Sequence, residues 1–147
     1  MDKSEILLQF CQEEWSQARQ AEDQRATITN MILLIASGII GFVAQKGLTR
    51  DVLALTVSLI GLGFYGAIAA YKMHERHEFH TERARAYRRE IVEKNPILNL
   101  DKCRLDAIAV HVTKFSLSYK IRSHYIWLTL DVSIALLGLI LTVLILV

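Results

Sequence analysis

Apolar and polar positions separate along this chain into long blocks, and three of those blocks are nearly free of charge. The first, "ATITNMILLIASGIIGFVAQ", is uncharged from Ala26 to Gln45, and the second, "VLALTVSLIGLGFYGAIAAY", from Val52 to Tyr71. The third, "YIWLTLDVSIALLGLILTVLILV", begins at Tyr125 and holds one charge, Asp131. Each is close to the ~20 residues that an apolar helix needs to cross a bilayer. Core helices of soluble bundles rarely stay uncharged for so long, so the pattern predicts three transmembrane helices.

Between and before these blocks the periodicity changes to that of amphipathic helices. In residues 4–25, Ile6, Leu7, Phe10, Trp15 and Ala18 form a loose stripe among glutamates and glutamines, with no proline or glycine before the first span. After the second span nothing breaks a helix as far as Asn95, and His77, His80, Ala84, Tyr87 and Ile91 recur at steps of three and four. That heptad-like seam predicts a rod packed against another helix. Pro96 ends the rod, because proline cannot continue the hydrogen-bond ladder and disfavours helix in the residue before it. "NLD" at Asn99 to Asp101 offers a cap for a further helix, whose stripe is Leu105, Ile108, Val112, Phe115 and Tyr119. The predicted fold is an all-α membrane protein with an amphipathic helix (1–25), a transmembrane hairpin (26–71), a helical hairpin (72–124) and a third transmembrane helix (125–147).

Charge gives these segments sides. Of 17 lysines and arginines, three precede the first span, two lie in "KGLTRD" and twelve fall between Lys72 and Arg122. The positive-inside rule then expects the N-terminus and residues 72–124 in the cytoplasm, the Lys46–Asp51 turn outside and Val147 outside. The N-terminal stretch is acidic throughout and lacks the short apolar core of a cleavable signal. Cys11 and Cys103 both fall on the reducing side, where no disulfide is expected, and their separation makes no zinc motif.

The candidate chemistry is sparse. His74, His77 and His80 are three apart, yet the outer two are displaced by about 120° around a helix and do not converge on one ion. No metal and no cofactor is expected, and His77 and His80 read as polar members of the seam. The arginines at 76, 83, 85, 88 and 89 alternate with glutamates below a span, where basic residues meet anionic headgroups, so nucleic-acid binding is not expected. "GLGFYG" fits G-x-G-x-x-G but lies mid-span with no strand before it. Its glycines make small-xxx-small packing pairs instead: Gly63 with Ala67 and Gly66 with Ala70, beside Ser37 with Gly41 on the first span. Asp131 should face protein or water, since a carboxylate at a helix centre in lipid costs ~2.5–3.5 kcal/mol. About six residues into the span, it either reaches the headgroups or serves as a pore-lining or oligomer-contact carboxylate. Arg104 and His111, six residues apart in between, share one helix face and fit the loose Arg…His spacing of HEPN-type ribonucleases, which makes them the candidate catalytic pair.

The order of an amphipathic helix, two closely spaced spans and then "YKMHERHEFHTERARAYRREI" resembles the SLATT-like two-transmembrane effector family of bacterial anti-phage conflict systems, over roughly residues 18–93. Tyr71, His74, Arg76, Ala84 and Tyr87 carry the likeness. A weaker resemblance, resting on Arg104 and His111, is to the small pore-forming membrane accessory protein of type VI-B CRISPR loci. These resemblances imply an oligomeric effector that permeabilises the bacterial inner membrane. The third span departs from the SLATT-like pattern and no nucleotide-binding domain is present, so sensing would come from a soluble partner such as a cyclase or a CRISPR nuclease. The alternatives are a membrane-bound ribonuclease and a passive anchor for a soluble protein.

Overall fold

The computed structural model describes residues 3–116, 118–120 and 122–147. Four α-helices follow in chain order: α1 (Lys3–Lys46), α2 (Leu53–Lys94), α3 (Leu100–Lys114) and α4 (Ser123–Leu146). Short 3-10 turns lie at Arg50–Val52, Pro96–Leu98 and Ser118–Lys120. The fold is all-α, and α1, α2 and α4 each contain a stretch long and apolar enough to cross a membrane.

Local chemistry sets the helix ends. Gly47 takes φ +77° and its N–H donates to the Val43 carbonyl at 2.9 Å, the left-handed glycine stop that satisfies a terminal carbonyl of α1. At the end of α2 the Asn95 side-chain amide donates to the Ile91 carbonyl (2.9 Å), and Pro96 follows. Asn99 departs from expectation. It precedes α3, but it adopts a left-handed conformation (φ 45°, ψ 32°) and its side chain caps nothing. Its backbone closes the Pro96 turn instead, a conformation that asparagine tolerates better than most residues.

Two compact units result, one of residues 1–21 with 75–122 and one of residues 22–74 with 123–147. In the first, the seam of α2 packs on the first turns of α1, with Cys11, Ala18 and Ala84 buried. The stripe expected on α3 is not packed. No described residue of α3 is buried, Leu105 and Val110 are largely exposed, and the helix stops at Lys114, short of Phe115 and Tyr119. The two aromatics flank His111 instead, at ring distances of 5.1 and 6.1 Å.

The second unit is a bundle of the three apolar stretches. Ile32, Ala36, Leu59 and Ile134 form one buried cluster, and Val43, Val52 and Ile145 another. Thr142 of α4 donates to the Thr56 hydroxyl (2.9 Å), which donates onward to the Leu53 carbonyl (3.0 Å), so both hydroxyls are satisfied away from water. The outer surface is the reverse of a soluble protein's. Leu34, Phe64, Ile68 and Ile140 are more than half exposed, and only 22–28% of each apolar stretch is buried. A contiguous apolar surface of this extent needs a hydrocarbon environment, as in a multi-pass membrane protein.

Candidate functional site

Asp131 lies in the interior of the three-helix bundle, fully buried on α4. Neither carboxylate oxygen has a hydrogen-bond partner among the described residues. What surrounds it is glycine. A Cβ on Gly66 would stand 2.5 Å from Asp131 Oδ1 and 2.9 Å from Ile32 Cδ1, and one on Gly63 would stand 2.6 Å from the Asp131 carbonyl and collide with the Ala135 backbone nitrogen. Two glycines on α2 therefore let α4 approach to backbone contact, and the space one of them frees is filled by the carboxylate. Gly138 returns the contact about two turns after Asp131, its Cβ position 2.8 Å from the Ile60 nitrogen and the Leu59 Cβ.

One turn before Asp131 on α4, the ring of Trp127 lies under Arg25 of α1 at 5.7 Å. Arg25 is 5% exposed, pairs with Glu22 at 3.4 Å and has no partner for its Nε among the described residues. The bundle thus holds a carboxylate and a guanidinium that are both buried and incompletely satisfied. In this arrangement each is costly unless a further group, water or ion reaches it.

The small residues predicted as oligomer contacts divide into two sets. Gly63, Gly66 and Ala70 are buried, and Gly63 and Gly66 approach α4 of the same chain. Ala67 beside them is half-buried. Ser37 and Gly41 are exposed, and no atom lies within 4 Å of a Cβ placed on Gly41.

The seam is likewise intramolecular. His77 Nδ1–H donates to the Ala18 carbonyl (3.1 Å), which leaves Nε2 to accept from the Thr81 hydroxyl (3.5 Å). His80 Nδ1 bonds Glu14 Oε2 at 2.6 Å, and Arg83 reaches the other oxygen of Glu14 at 3.1 Å. The hydrogen bond to the Tyr87 hydroxyl is the main influence holding the Arg83 guanidinium above its ordinary value, with Glu14 adding to it. The Cys11 thiol lies 3.5 Å from the Ala84 carbonyl, Tyr87 packs on Phe10 at 5.8 Å, and Ile91 is half-buried. His74 stacks on His124 at 3.9 Å, and no group of three metal-ligating side chains occurs among the described residues.

Arg104 and His111 are both exposed on α3, and Arg104 lines a cavity that His111 does not. Arg104 faces a group of arginines from α2, whereas His111 lies with Phe115 and Tyr119. Sequence reasoning missed Glu14, Arg25, Gly138 and Thr142. The first two stand among other charges beside apolar stripes, and only contacts with residues far along the chain, more than sixty residues away in the case of Glu14, give them meaning. The chain matches no protein-family model, no curated protein and no solved structure.

Proposed function

We propose that this chain is a homo-oligomeric effector of the bacterial inner membrane that permeabilises or depolarises it, in phage defence. One observation carries the reading: Asp131, a carboxylate in an apolar span, is fully buried, with neither oxygen partnered among the described residues. A charge inside a span costs free energy, and such residues mark ion and proton paths more often than they stabilise a fold. The packing of α4 on α2 gives the carboxylate no polar contact among the described residues, so nothing in it calls for the charge. The resting chain keeps the group enclosed. Repacking of α4 against a second copy brings it to a shared, wetted seam, and the uncovered Ser37–Gly41 stripe supplies a surface on which two copies can approach closely. The twelve-to-two distribution of basic residues favours a cytoplasmic N-terminus, with a soluble sensor acting on the charged unit.

The test compares membrane potential and growth on strong expression. The parent depolarises cells, and Asp131→Leu reduces the effect more than the pair Arg104→Ala and His111→Ala. RNA fragmentation that depends on Arg104 while the potential holds overturns the reading in favour of a ribonuclease. An absence of any potential change with the parent leaves the anchor.

A further inference from the structure

We propose that the cavity between α2 and the start of α3 binds a small phosphate-bearing anion of two or more charges, of the size of a diphosphate. Glu82, Arg85, Arg88, Arg89, Val92, Asp101 and Arg104 line a space of about 320 Å³ within the charged unit. The four guanidiniums face two carboxylates, and the pairing is incomplete. Arg85 is held by Glu82 at 2.6 Å and Arg88 by Asp101 at only 4.0 Å, while Arg89 and Arg104 have no acidic partner among the described residues. An excess of two positive charges therefore converges on one concavity.

Surface arginines on a solvated helix normally splay away from each other; here a second helix adds Arg104 to the three from α2, so the cluster is a product of the hairpin and not of one helix face. Like charges gathered this way repel unless an anion sits among them. The start of α3 adds to the field. Asp101 stands in the first turn of this 15-residue helix, so the positive end of the helix borders the cavity. Guanidinium forks match phosphate oxygens in geometry, and they hold their charge at any physiological pH. The volume lies at the low end of ligand pockets, ~300–1,000 Å³, which suits a diphosphate and leaves little room for a larger body beyond it. The same oxygens are offered by a soluble diphosphate and by an anionic lipid headgroup. The proposal stands apart from the membrane activity, since it uses neither Asp131 nor the spans.

The experiment is thermal unfolding and calorimetric titration of the full-length protein in neutral detergent micelles, with inorganic pyrophosphate in one arm and cardiolipin, whose headgroup carries two phosphates, in the other. Pyrophosphate should raise the parent's unfolding midpoint, and the double variant Arg89→Gln, Arg104→Gln should bind it at least about tenfold more weakly, as loss of charge-assisted hydrogen bonds implies. Asp101→Asn, which removes a competing carboxylate, should bind more tightly than the parent. It keeps the test decisive if the double variant fails to fold. A rise with cardiolipin alone, abolished in the double variant, upholds the site and identifies the headgroup as its source. No response of the parent to either probe, or equal responses in parent and variants, overturns the proposal.

Discussion

Gly63 and Gly41 occupy similar apolar helices, yet a methyl group has opposite consequences at the two. On Gly63 it meets the Ala135 and Asp131 backbones of α4, which cannot yield as a flexible side chain does, whereas on Gly41 it meets nothing. Gly63→Ala should therefore destabilise the bundle by about 1–3 kcal/mol through overpacking. Gly41→Ala should change the stability of the single chain by no more than about 0.5 kcal/mol. Unfolding by SDS in mixed micelles measures both, and equal stability of the two variants would contradict the close approach of α4 to Gly63. The small-xxx-small spacing was legible in the sequence because it needs only composition and helical period. Which helix comes close was not, since glycine on one helix does not encode its partner. Asp131 was visible as an anomaly for the same reason, while its enclosure by Gly66 and Ile32 depends on a contact between segments far apart in the chain.

Among the elements, the seam of α2 was the most legible, because its 3-4 spacing specifies a packed face whatever covers it. Its cover is the first part of α1, where Glu14 receives both His80 and Arg83. Ala84 is the tightest point, fully buried beneath Cys11. Ala84→Leu should push the two helices apart and destabilise the unit by about 1–3 kcal/mol. Hydrogen exchange should then rise in residues 6–18 of α1 and stay unchanged in 32–43, and protection retained in the first stretch would place the cover elsewhere. The helix after Pro96 was read less well. Its stripe has the right period, but a period reports a face and not an occupant, and in this chain α3 leaves that face open and ends at Lys114.

For the whole molecule the sequence-level expectation concerns sidedness, and the two native thiols test it without any substitution. Cys11 is buried and Cys103 exposed, both in the unit that carries most of the basic residues. An impermeant maleimide should leave intact cells unlabelled and add one label per chain after permeabilisation, whereas labelling of intact cells reverses the orientation. The buried carboxylate also bears on how α4 enters the bilayer during synthesis. Eight leucines and four isoleucines between Tyr125 and Val147 favour insertion by up to about 4–7 kcal/mol in sum, against ~2.5–3.5 for one carboxylate at a helix centre. Insertion of α4 thus does not wait for its partners. Packing on α2 then offers the carboxylate no hydrogen bond among the described residues, so the close backbone approach at Gly63 and Gly138, and not relief of the charge, draws the third helix onto the second.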